Sequence, residues 1–384
     1  MSAAGDPRIE AFRIDVEDEV LHDLDRRLHA TRWPDAVEGA GWDYGTDLDY
    51  ARELCAYWRD AYDWRREERA LNSLPQFRAE IDGLGIHFVH QRGRGPSPMP
   101  LVLTHGWPSS FYEMHKVIGP LTDPARFGGD PADAFDVVVP SLPGYGFSDR
   151  PRRRGFDTQR VADVWLRLMT DVLGYERFGA QGGDWGAAVN TGLGTRHPEH
   201  LIGLHYNMLA PPIDEATLTP DQRAWWEEVK DYRAREWGYV ALQSTKPQSL
   251  AFGLNDSPSG LAAWIVEKWR RWSDCDGDLE RVYTKDQLLT NIMIYWITNT
   301  IGSSLRMYFE SFGPMKGMPA YGGVEVPTGV AAFNEVNRPP RELCEAHFDI
   351  RRFTIMDHGG HFPAMENPEG LVHEIREFFR PLRE

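Results

Sequence analysis

The strongest constraint on this chain is an alternation of short apolar runs with stretches of helical periodicity between residues 100 and 209. The apolar runs are PLVLT, FDVVVP, RFGAQGG and LIGLHY, and each of the first three is followed by a segment with helical spacing of apolar residues. Continuous apolar strands separated by helices indicate a parallel sheet with helices on both faces. The alternation resumes at TGVAAFNEV and RFTIMDHGGHF, so we expect the same sheet to continue near the carboxyl terminus.

One helical block precedes this pattern, and a second one interrupts it. Residues 9 to about 74 read as helical, and QFRAEIDGLGIHFVHQRG then alternates around Gly83 and Gly85, which predicts a hairpin. A helical block inserted in a parallel sheet is the layout of a hydrolase with a lid. The predicted parts are an N-terminal helical extension packing on the core and lid (1–75), the first part of an α/β core (76–209), a helical lid (210–318) and the second part of the core (319–384).

The charge and the cysteine content exclude several classes of partner. A net charge of −16 argues against nucleic acid and against an anionic membrane surface, since both are bound through basic patches. No apolar run approaches the ~18 residues of a membrane span, and the first residues lack the pattern of a signal peptide. The three cysteines are scattered and odd in number, which favours a reducing cytoplasm over a disulfide framework.

Asp184 stands in the frame Gly182-Gly183-Asp184-Trp185-Gly186, between a predicted strand and a predicted helix. The spacing is that of the nucleophile elbow, in which serine usually occupies the centre. Small flanking residues permit a strained turn that presents the central side chain to the site, and the following helix N-terminus stabilises negative charge there. The alternative is an aspartate that only caps this helix. The remaining motifs of the chain favour the nucleophile.

His361 lies in DHGGHFPAMENP, after the last predicted strand. Because parallel strands all end on the same edge of the sheet, an imidazole in this loop can reach a nucleophile at the elbow. His358 and His361 could instead suggest a metal site, with Glu366 as third ligand in a loop crossed by Pro363. Short histidine spacings arise easily, so we weigh the metal alternative as the minor one and expect no metal or organic cofactor.

A third member of the set should be an acid after the preceding strand. Glu335 ends the run AAFNEV, where a carboxylate would hold the tautomer of the imidazole and stabilise its protonated form. Asp349, which begins the next strand, and Asp357, just before the histidine loop, are alternatives with poorer placement. The chain order would then be nucleophile, acid, histidine, as in the α/β-hydrolases.

The segment LTHGWPSSFYE follows the first core strand. In this architecture the loop after that strand supplies one backbone N–H of an oxyanion hole, here from Trp107, and the residue after the nucleophile, Trp185, supplies the second. His105, Gly106 and Pro108 of the same loop are expected to line the substrate pocket. The alternative is that His-Gly-Trp-Pro is simply a tight turn.

An aspartate in the elbow indicates attack on a saturated carbon. A serine ether could not be cleaved by activated water, whereas a carboxylate forms an ester whose carbonyl the oxyanion hole can polarise. The electrophile would be an epoxide or an alkyl halide. An epoxide oxygen needs hydrogen-bond donors, and the lid offers Tyr239 and Tyr308, although most tyrosines are packing residues.

With these motifs the chain resembles the microsomal-type epoxide hydrolases of the α/β-hydrolase superfamily, over nearly its whole length. The resemblance includes LNSLPQFRAEIDGLGIHFVH, LTHGWPSSFYE, GGDWG, GYVALQSTKPQSLAFGLNDSPSGLAAWIVEKW, LLTNIMIYWITNTIGSSLRMY and GGHFPAMENPE. It implies an α/β-hydrolase fold with an inserted lid, Asp184 as nucleophile, His361 as base with Glu335 as its acid, and Tyr239 and Tyr308 as donors to the epoxide oxygen. The partners implied are a small-molecule epoxide and water.

Membrane-bound animal members of this family carry a hydrophobic N-terminal anchor, which this sequence lacks, so a soluble protein is expected. A homodimer is left open. The alternatives for function are a haloalkane dehalogenase, which would share the nucleophile and base, and a non-catalytic ligand-binding relative. Fourteen tryptophans suggest a bulky or aromatic epoxide, and detoxification, hydrocarbon catabolism and secondary metabolism would all use this chemistry.

Overall fold

The computed structural model describes residues 9–313, 323–335 and 338–383, and the predicted lid boundary at 318–319 falls outside them. Nine strands of the described residues form one sheet in the order β1-β2-β3-β5-β4-β6-β7-β8-β9. The strands are β1 (Ile9–Ala11), β2 (Gln76–Ile81), β3 (Leu84–Gln91), β4 (Met99–Thr104), β5 (Phe135–Pro140), β6 (Phe178–Gly182), β7 (Leu201–Tyr206), β8 (Val324–Ala332) and β9 (Phe348–Ile355).

The sheet is mostly parallel, as the alternating pattern predicts. Strands β5, β4, β6, β7, β8 and β9 pair in parallel, and β1, β2 and β3 join them through antiparallel pairs. The predicted hairpin is confirmed as β2–β3. Its turn places Asp82 and Gly83 at φ angles of 56° and 74°, which suits a tight two-residue connection.

Helices cover the sheet and fill the two other blocks. The helices are α1 (Asp18–His29), α2 (Leu48–Asp60), α3 (Trp64–Leu71), α4 (His115–Thr122), α5 (Thr158–Arg167), α6 (Asp184–Arg196), α7 (Pro220–Glu236), α8 (Gly238–Thr245), α9 (Pro247–Asp256), α10 (Pro258–Trp272), α11 (Lys285–Thr298), α12 (Ile301–Phe312), α13 (Arg341–Glu345), α14 (Pro363–Glu366) and α15 (Pro368–Phe379). Among those of the core, α4 packs against α15 and α5 packs against α6. The α/β-hydrolase fold is confirmed.

One prediction was wrong at the start of the chain. Residues 9 onward were expected to be helical, but Ile9–Ala11 forms the edge strand β1, paired with Phe77–Ala79 of β2. The free edge of β2 offers unpaired backbone groups, and three residues of chain satisfy them. A three-residue strand is too short to produce an alternating pattern in the sequence, so helical periodicity of the following residues dominated the prediction.

Helices α7 to α12 lie between β7 and β8 in the chain, and we call them the helical insertion. Hydrogen bonds connect the N-terminal region that contains α1 to α3 with this insertion. Thr46 donates to the backbone oxygen of Ala263 at 2.6 Å, and the Tyr57 hydroxyl donates to Asp286 at 3.1 Å. Within the described ranges, no helix combines the length and the apolarity that crossing a bilayer requires.

Candidate active site

The site is built around Asp184, which begins α6 directly after β6. Its backbone is left-handed, with φ at +45°, and this strained turn projects the side chain away from the sheet. The backbone N–H groups of Trp107 and Trp185 both donate to Oδ1 of Asp184, at 2.9 and 2.7 Å. One carboxylate oxygen is therefore held by two donors, and the other remains free to react.

The turn requires glycine around Asp184. A Cβ on Gly106 would stand 2.4 Å from the Cβ of Asp184, and a Cβ on Gly186 would stand 2.2 Å from the backbone oxygen of Thr104. Neither distance is compatible with a side chain. The loop after β4 and the first turn of α6 can approach closely enough to share Oδ1 only because both positions lack a Cβ.

His361 lies between two carboxylates. Its Nε2 is 3.5 Å from Oδ2 of Asp184, and its Nδ1 is 3.2 Å from Oε1 of Glu335, which follows β8. Burial lowers the pKa of His361, but the charges of Glu335 and Asp184 outweigh burial and raise it well above its usual value. Of the alternative acids, Asp349 pairs with Arg351 at 2.9 Å and Asp357 is exposed.

The loop that carries His361 is anchored by Glu366 and by the end of α10. Glu366 accepts hydrogen bonds from the backbone N–H groups of Gly360, Phe362 and Asp274, each at 2.8 Å. The backbone N–H of His361 donates to the oxygen of Trp272 at 2.9 Å. Glu366 thus serves the loop backbone, His358 is exposed, and the described residues contain no cluster of three metal-ligating side chains.

Tyr239 of α8 and Tyr308 of α12 face the same region. The ring of Tyr239 stacks on Trp107 with 5.4 Å between centroids, and the ring of Tyr308 meets Trp185 edge-on at 4.6 Å. The two phenol rings are 5.9 Å apart. Burial, reinforced by the negative charge of Asp184, raises the pKa of both phenols well above the usual value. Both remain protonated at neutral pH and can act as donors.

A cavity of about 490 Å³ opens between the sheet edge and the helical insertion. Its wall includes Asp184, His361 and Glu335 together with both tyrosines. The remainder is largely apolar and aromatic, which is typical of a pocket for a small organic molecule. The aromatic residues of this wall are Trp185, Trp225, Trp226, Tyr232, Trp237, Trp272 and Phe312, besides Tyr239 and Tyr308.

A second, much smaller chamber lies against two of the same side chains. Its volume is about 10 Å³, and Asp184 and His361 line it as well as the large cavity. The other polar residues that line it are Glu113, Ser109, Asn207 and Thr104. The side chain of Glu113 accepts a hydrogen bond from Ser109, and burial raises the pKa of Glu113 to about 7. A chamber of this size and polarity suits a single water molecule.

Three residues of the His-Gly-Trp-Pro loop do not lie where the sequence analysis expected them. His105 and Pro108 are not among the described residues that line the large cavity, and Gly106 lines only the small chamber. The ring of His105 is buried, and its Nε2 accepts a hydrogen bond from the backbone N–H of Leu142 at 3.1 Å. The oxygen of Pro108 accepts from Asn291 at 2.8 Å. These residues support the loop and do not form the expected pocket wall.

Sequence reasoning missed several polar residues near the site, and three of them bear on the proposals below. Glu113, Asn207 and Arg233 enter the two cavities from a short turn before α4, from the end of β7 and from α7. The only available signal was the position of Asn207 directly after a buried strand, at the carboxyl edge of the sheet.

Comparison with known proteins gives the same family along the whole chain. Residues 9–114 match the family described as "Epoxide hydrolase N terminus", and residues 99–254 match "alpha/beta hydrolase fold". A relative from Stigmatella aurantiaca is 43% identical, covering 98% of this chain and 86% of its own. Epoxide hydrolase 1 of Sus scrofa is 38% identical, covering 98% of this chain and 90% of its own.

Two solved structures are similar over nearly the whole chain. Juvenile hormone epoxide hydrolase from the silkworm Bombyx mori superimposes with a TM-score of 0.83 at 33% identity, covering 98% of this chain and 95% of that one. The Aspergillus niger epoxide hydrolase gives a TM-score of 0.85 at 28% identity, covering 97% and 96%.

Proposed function

The chain belongs to the epoxide hydrolases that join an epoxide hydrolase N-terminal region to an α/β-hydrolase fold, and from this premise we propose a reaction in two half-reactions through a covalent ester. In the first, Oδ2 of Asp184 attacks one carbon of the epoxide ring. The bond between that carbon and the ring oxygen breaks, and the oxygen takes a proton from Tyr239 or Tyr308. The product is a hydroxyalkyl ester of Asp184.

The observation that carries this proposal is that the two oxygens of Asp184 have different hydrogen-bond partners. Trp107 and Trp185 hold Oδ1, so Oδ2 is the oxygen available to attack. After esterification, Oδ1 is the carbonyl oxygen and already lies between the two donors. They then stabilise the negative charge that develops when water adds, an effect worth ~3 kcal/mol for one donor.

Ester formation also changes His361. While Asp184 is ionised, its charge and that of Glu335 favour the protonated imidazole. The ester is neutral, so one of the two carboxylates that raise the pKa of His361 disappears at that step. The imidazole then loses its proton more readily, which restores the tyrosine donor and leaves a neutral base. Activation of the base is thereby coupled to completion of the first half-reaction.

In the second half-reaction, water attacks the ester carbonyl from the small chamber, opposite the substrate cavity. His361 removes a proton from this water, with Glu335 stabilising the imidazolium. The bond between the carbonyl carbon and Oδ2 breaks, and the leaving alkoxide takes a proton from the protonated His361, so that a vicinal diol leaves. The new carboxylic acid of Asp184, which keeps the oxygen of the water, returns its proton to His361. Glu113, Ser109 and Asn207 are placed to hold the water before it reacts.

The large cavity supports a bulky or aromatic epoxide as substrate. Its volume of about 490 Å³ lies in the range of pockets for drug-sized ligands, and its walls are mainly aromatic. The three cysteines are buried and unpaired among the described residues, which fits our proposal of a reducing cytoplasm as the compartment.

The experiment that tests the covalent path is a single turnover in heavy-oxygen water, with enzyme in excess over styrene oxide. We expect the first diol to carry unlabelled oxygen from Asp184, and the peptide containing Asp184 to gain the label. Many turnovers under the same conditions should give labelled diol, which serves as the control. Full label in the diol of the first turnover would mean direct attack by water and would refute the ester.

A further inference from the structure

Arg233 of α7 is a charged side chain in the wall of a largely aromatic cavity. Its guanidinium lies over the ring of Trp226 at 4.9 Å and over the ring of Trp237 at 4.3 Å, measured to the centroids. Its Nε is buried and has no hydrogen-bond partner in the part of the chain that the structure describes. Burial lowers the pKa of Arg233, as expected for a cation without a nearby anion.

Neighbouring arginines of the helical insertion behave differently. Arg235, two residues further along α7, pairs with Asp231 at 2.7 Å, and Arg271, also in the cavity wall, pairs with Glu236 at 3.0 Å. Arg233 has no such carboxylate among the described residues. Removing an unpaired cation from water is unfavourable, and stacking on two indole rings offsets only part of that cost. A guanidinium that is held in place in a cavity wall but has no carboxylate partner indicates a position where an anion can bind.

The cavity itself does not supply that anion. Its described carboxylates are Asp184, Glu335 and Asp274. The first is held by two backbone N–H groups, the second contacts His361, and the third accepts from the backbone N–H of Gly359 at 3.0 Å. Each therefore has its own partner at the catalytic end of the cavity.

Arg233 nevertheless lines the same cavity as the reacting groups. Tyr239 and Asp184 both belong to the wall of that cavity. A molecule that places its ring oxygen against Tyr239 can therefore extend along the same cavity toward the guanidinium. The two tryptophans fix the plane of the fork, and a planar fork of N–H donors matches a carboxylate.

We propose that Arg233 forms an anion subsite, and that the preferred substrates are epoxides carrying a carboxylate remote from the epoxide ring. This inference rests on the proposed function and specifies its substrate class. The carboxylate would be bound in the ground state and the transition state alike, so its contribution should appear mainly in KM.

The test compares acid and methyl ester forms of two probes, para-carboxystyrene oxide and cis-epoxystearate, with styrene oxide as the neutral reference. For the wild-type enzyme we expect kcat/KM for at least one acid to exceed that of its ester by about tenfold or more. Arg233→Gln should abolish this preference by raising KM for the acid, so that acid and ester react with similar kcat/KM. Arg233→Lys, which keeps the charge but loses the fork, should retain part of the preference.

Arg235→Gln is the matched control, because it removes a charge from the same helix without altering the cavity wall, and it should change none of these ratios. Equal rates for acid and ester in both pairs, or a preference that survives in Arg233→Gln, would overturn the subsite. Conversion of styrene oxide to diol without acid preference would refute only the subsite. Failure to convert any of the epoxides would refute the proposed function itself.

Discussion

At the scale of single residues, the site depends on the unequal surroundings of the two oxygens of one carboxylate. Oδ1 of Asp184 lies between two backbone donors, and Oδ2 lies 3.5 Å from His361. The two backbone donors fix Oδ1 in place, so in the proposed reaction Oδ1 and Oδ2 keep separate roles. If Asp184 attacks as proposed, the attacking oxygen and the later carbonyl oxygen are distinguished before substrate binds.

The small chamber gives a prediction for Glu113. Glu113→Leu removes the polar wall that would hold the water, so ester hydrolysis should slow about tenfold while ring opening is unchanged. Glu113→Gln keeps hydrogen bonding and should retain most of the rate. It should also remove a pH step near 7 in ester decay, where burial places the pKa of Glu113. Rapid-quench measurement of ester and diol separates the two steps.

The control for Glu113 is ring opening itself, measured in the same samples. An equal loss of both steps in Glu113→Leu would indicate general disruption of the loop after β4. An unchanged pH profile in Glu113→Gln would remove Glu113 from the second half-reaction.

At the scale of elements, the two proposed donors come from two different helices of the insertion, α8 and α12, which pack on each other. Tyr239→Phe or Tyr308→Phe alone should slow ring opening by about tenfold, because the second phenol can still donate. The double variant should lose about 10³-fold, the scale of general acid catalysis. Single-turnover loss of epoxide measures this step directly.

Phenylalanine at either position keeps the contacts that the tyrosine rings make with Trp107 and Trp185, so the cavity should remain intact. The matched control is Tyr283→Phe. Tyr283 is a buried tyrosine that is hydrogen-bonded to Ser273 and is absent from the described cavity wall. Full activity of the double variant would show that the ring oxygen is protonated by another group.

Contacts between the N-terminal helices and the insertion give a second prediction at this scale. Asp286, in the first turn of α11, accepts from the Tyr57 hydroxyl at 3.1 Å and pairs with Arg66 at 2.6 Å. Asp286→Ala should lower the free energy of unfolding by about 1 kcal/mol, because these contacts are partly exposed. Urea titration measures the loss.

Asp286→Asn can still accept from Tyr57 but loses the ion pair, so its loss should be smaller. Asp49→Ala, whose carboxylate is almost fully exposed at 92%, is a control on α2 and should have little effect. No loss in Asp286→Ala would mean that this contact does not stabilise the joined helices.

The elements show which parts of the structure a single sequence can predict. Strands β4 to β7 were predicted because their sequences form short, mostly buried runs, which leave a local signal. Strands β8 and β9 were predicted because the alternation of strands and helices resumes there. The short edge strand β1 has none. Motif order also indicated that Asp184, Glu335 and His361 would meet at the sheet edge. Glu113 and Arg233 could not be found, because their surroundings come from loops and helices far apart in the chain.

At the scale of the whole molecule, five buried histidines make stability depend on pH. Burial lowers the pKa of His87 to about 3 and that of four others to about 4; these are His90, His105, His115 and His205. The unfolded chain takes up their protons near pH 6.5, before the folded protein does. Their contribution is therefore fully present above pH 6.5 and is lost as the pH falls toward 4.

Three groups act in the opposite direction, and one of them is Glu366, whose pKa burial raises above its usual value. The pKa of Glu113 is raised to about 7 by burial, so its contribution falls as the pH rises from 4.5 toward 7. The pKa of His361 is raised by its two carboxylates, so its contribution is present below pH 6.5 and is lost as the pH rises through the raised value. In the window from 6.5 to 4, Glu113 and Glu366 oppose five histidines, and we expect acid to destabilise the protein.

We expect the free energy of unfolding to fall between pH 6.5 and 5, with each buried histidine contributing up to about 1.4 kcal/mol per pH unit. Urea titrations at several pH values measure the slope. His205 is the sharpest probe, because neither ring nitrogen has a hydrogen-bond partner among the described residues. His205→Leu should reduce the slope of unfolding free energy against pH by nearly the amount that one bound proton contributes, about 1.4 kcal/mol per pH unit. His22→Leu, at an exposed position of α1, should leave the slope unchanged. A slope that is flat in the wild-type protein, or identical in His205→Leu, would mean that these histidines do not remain neutral in the folded state.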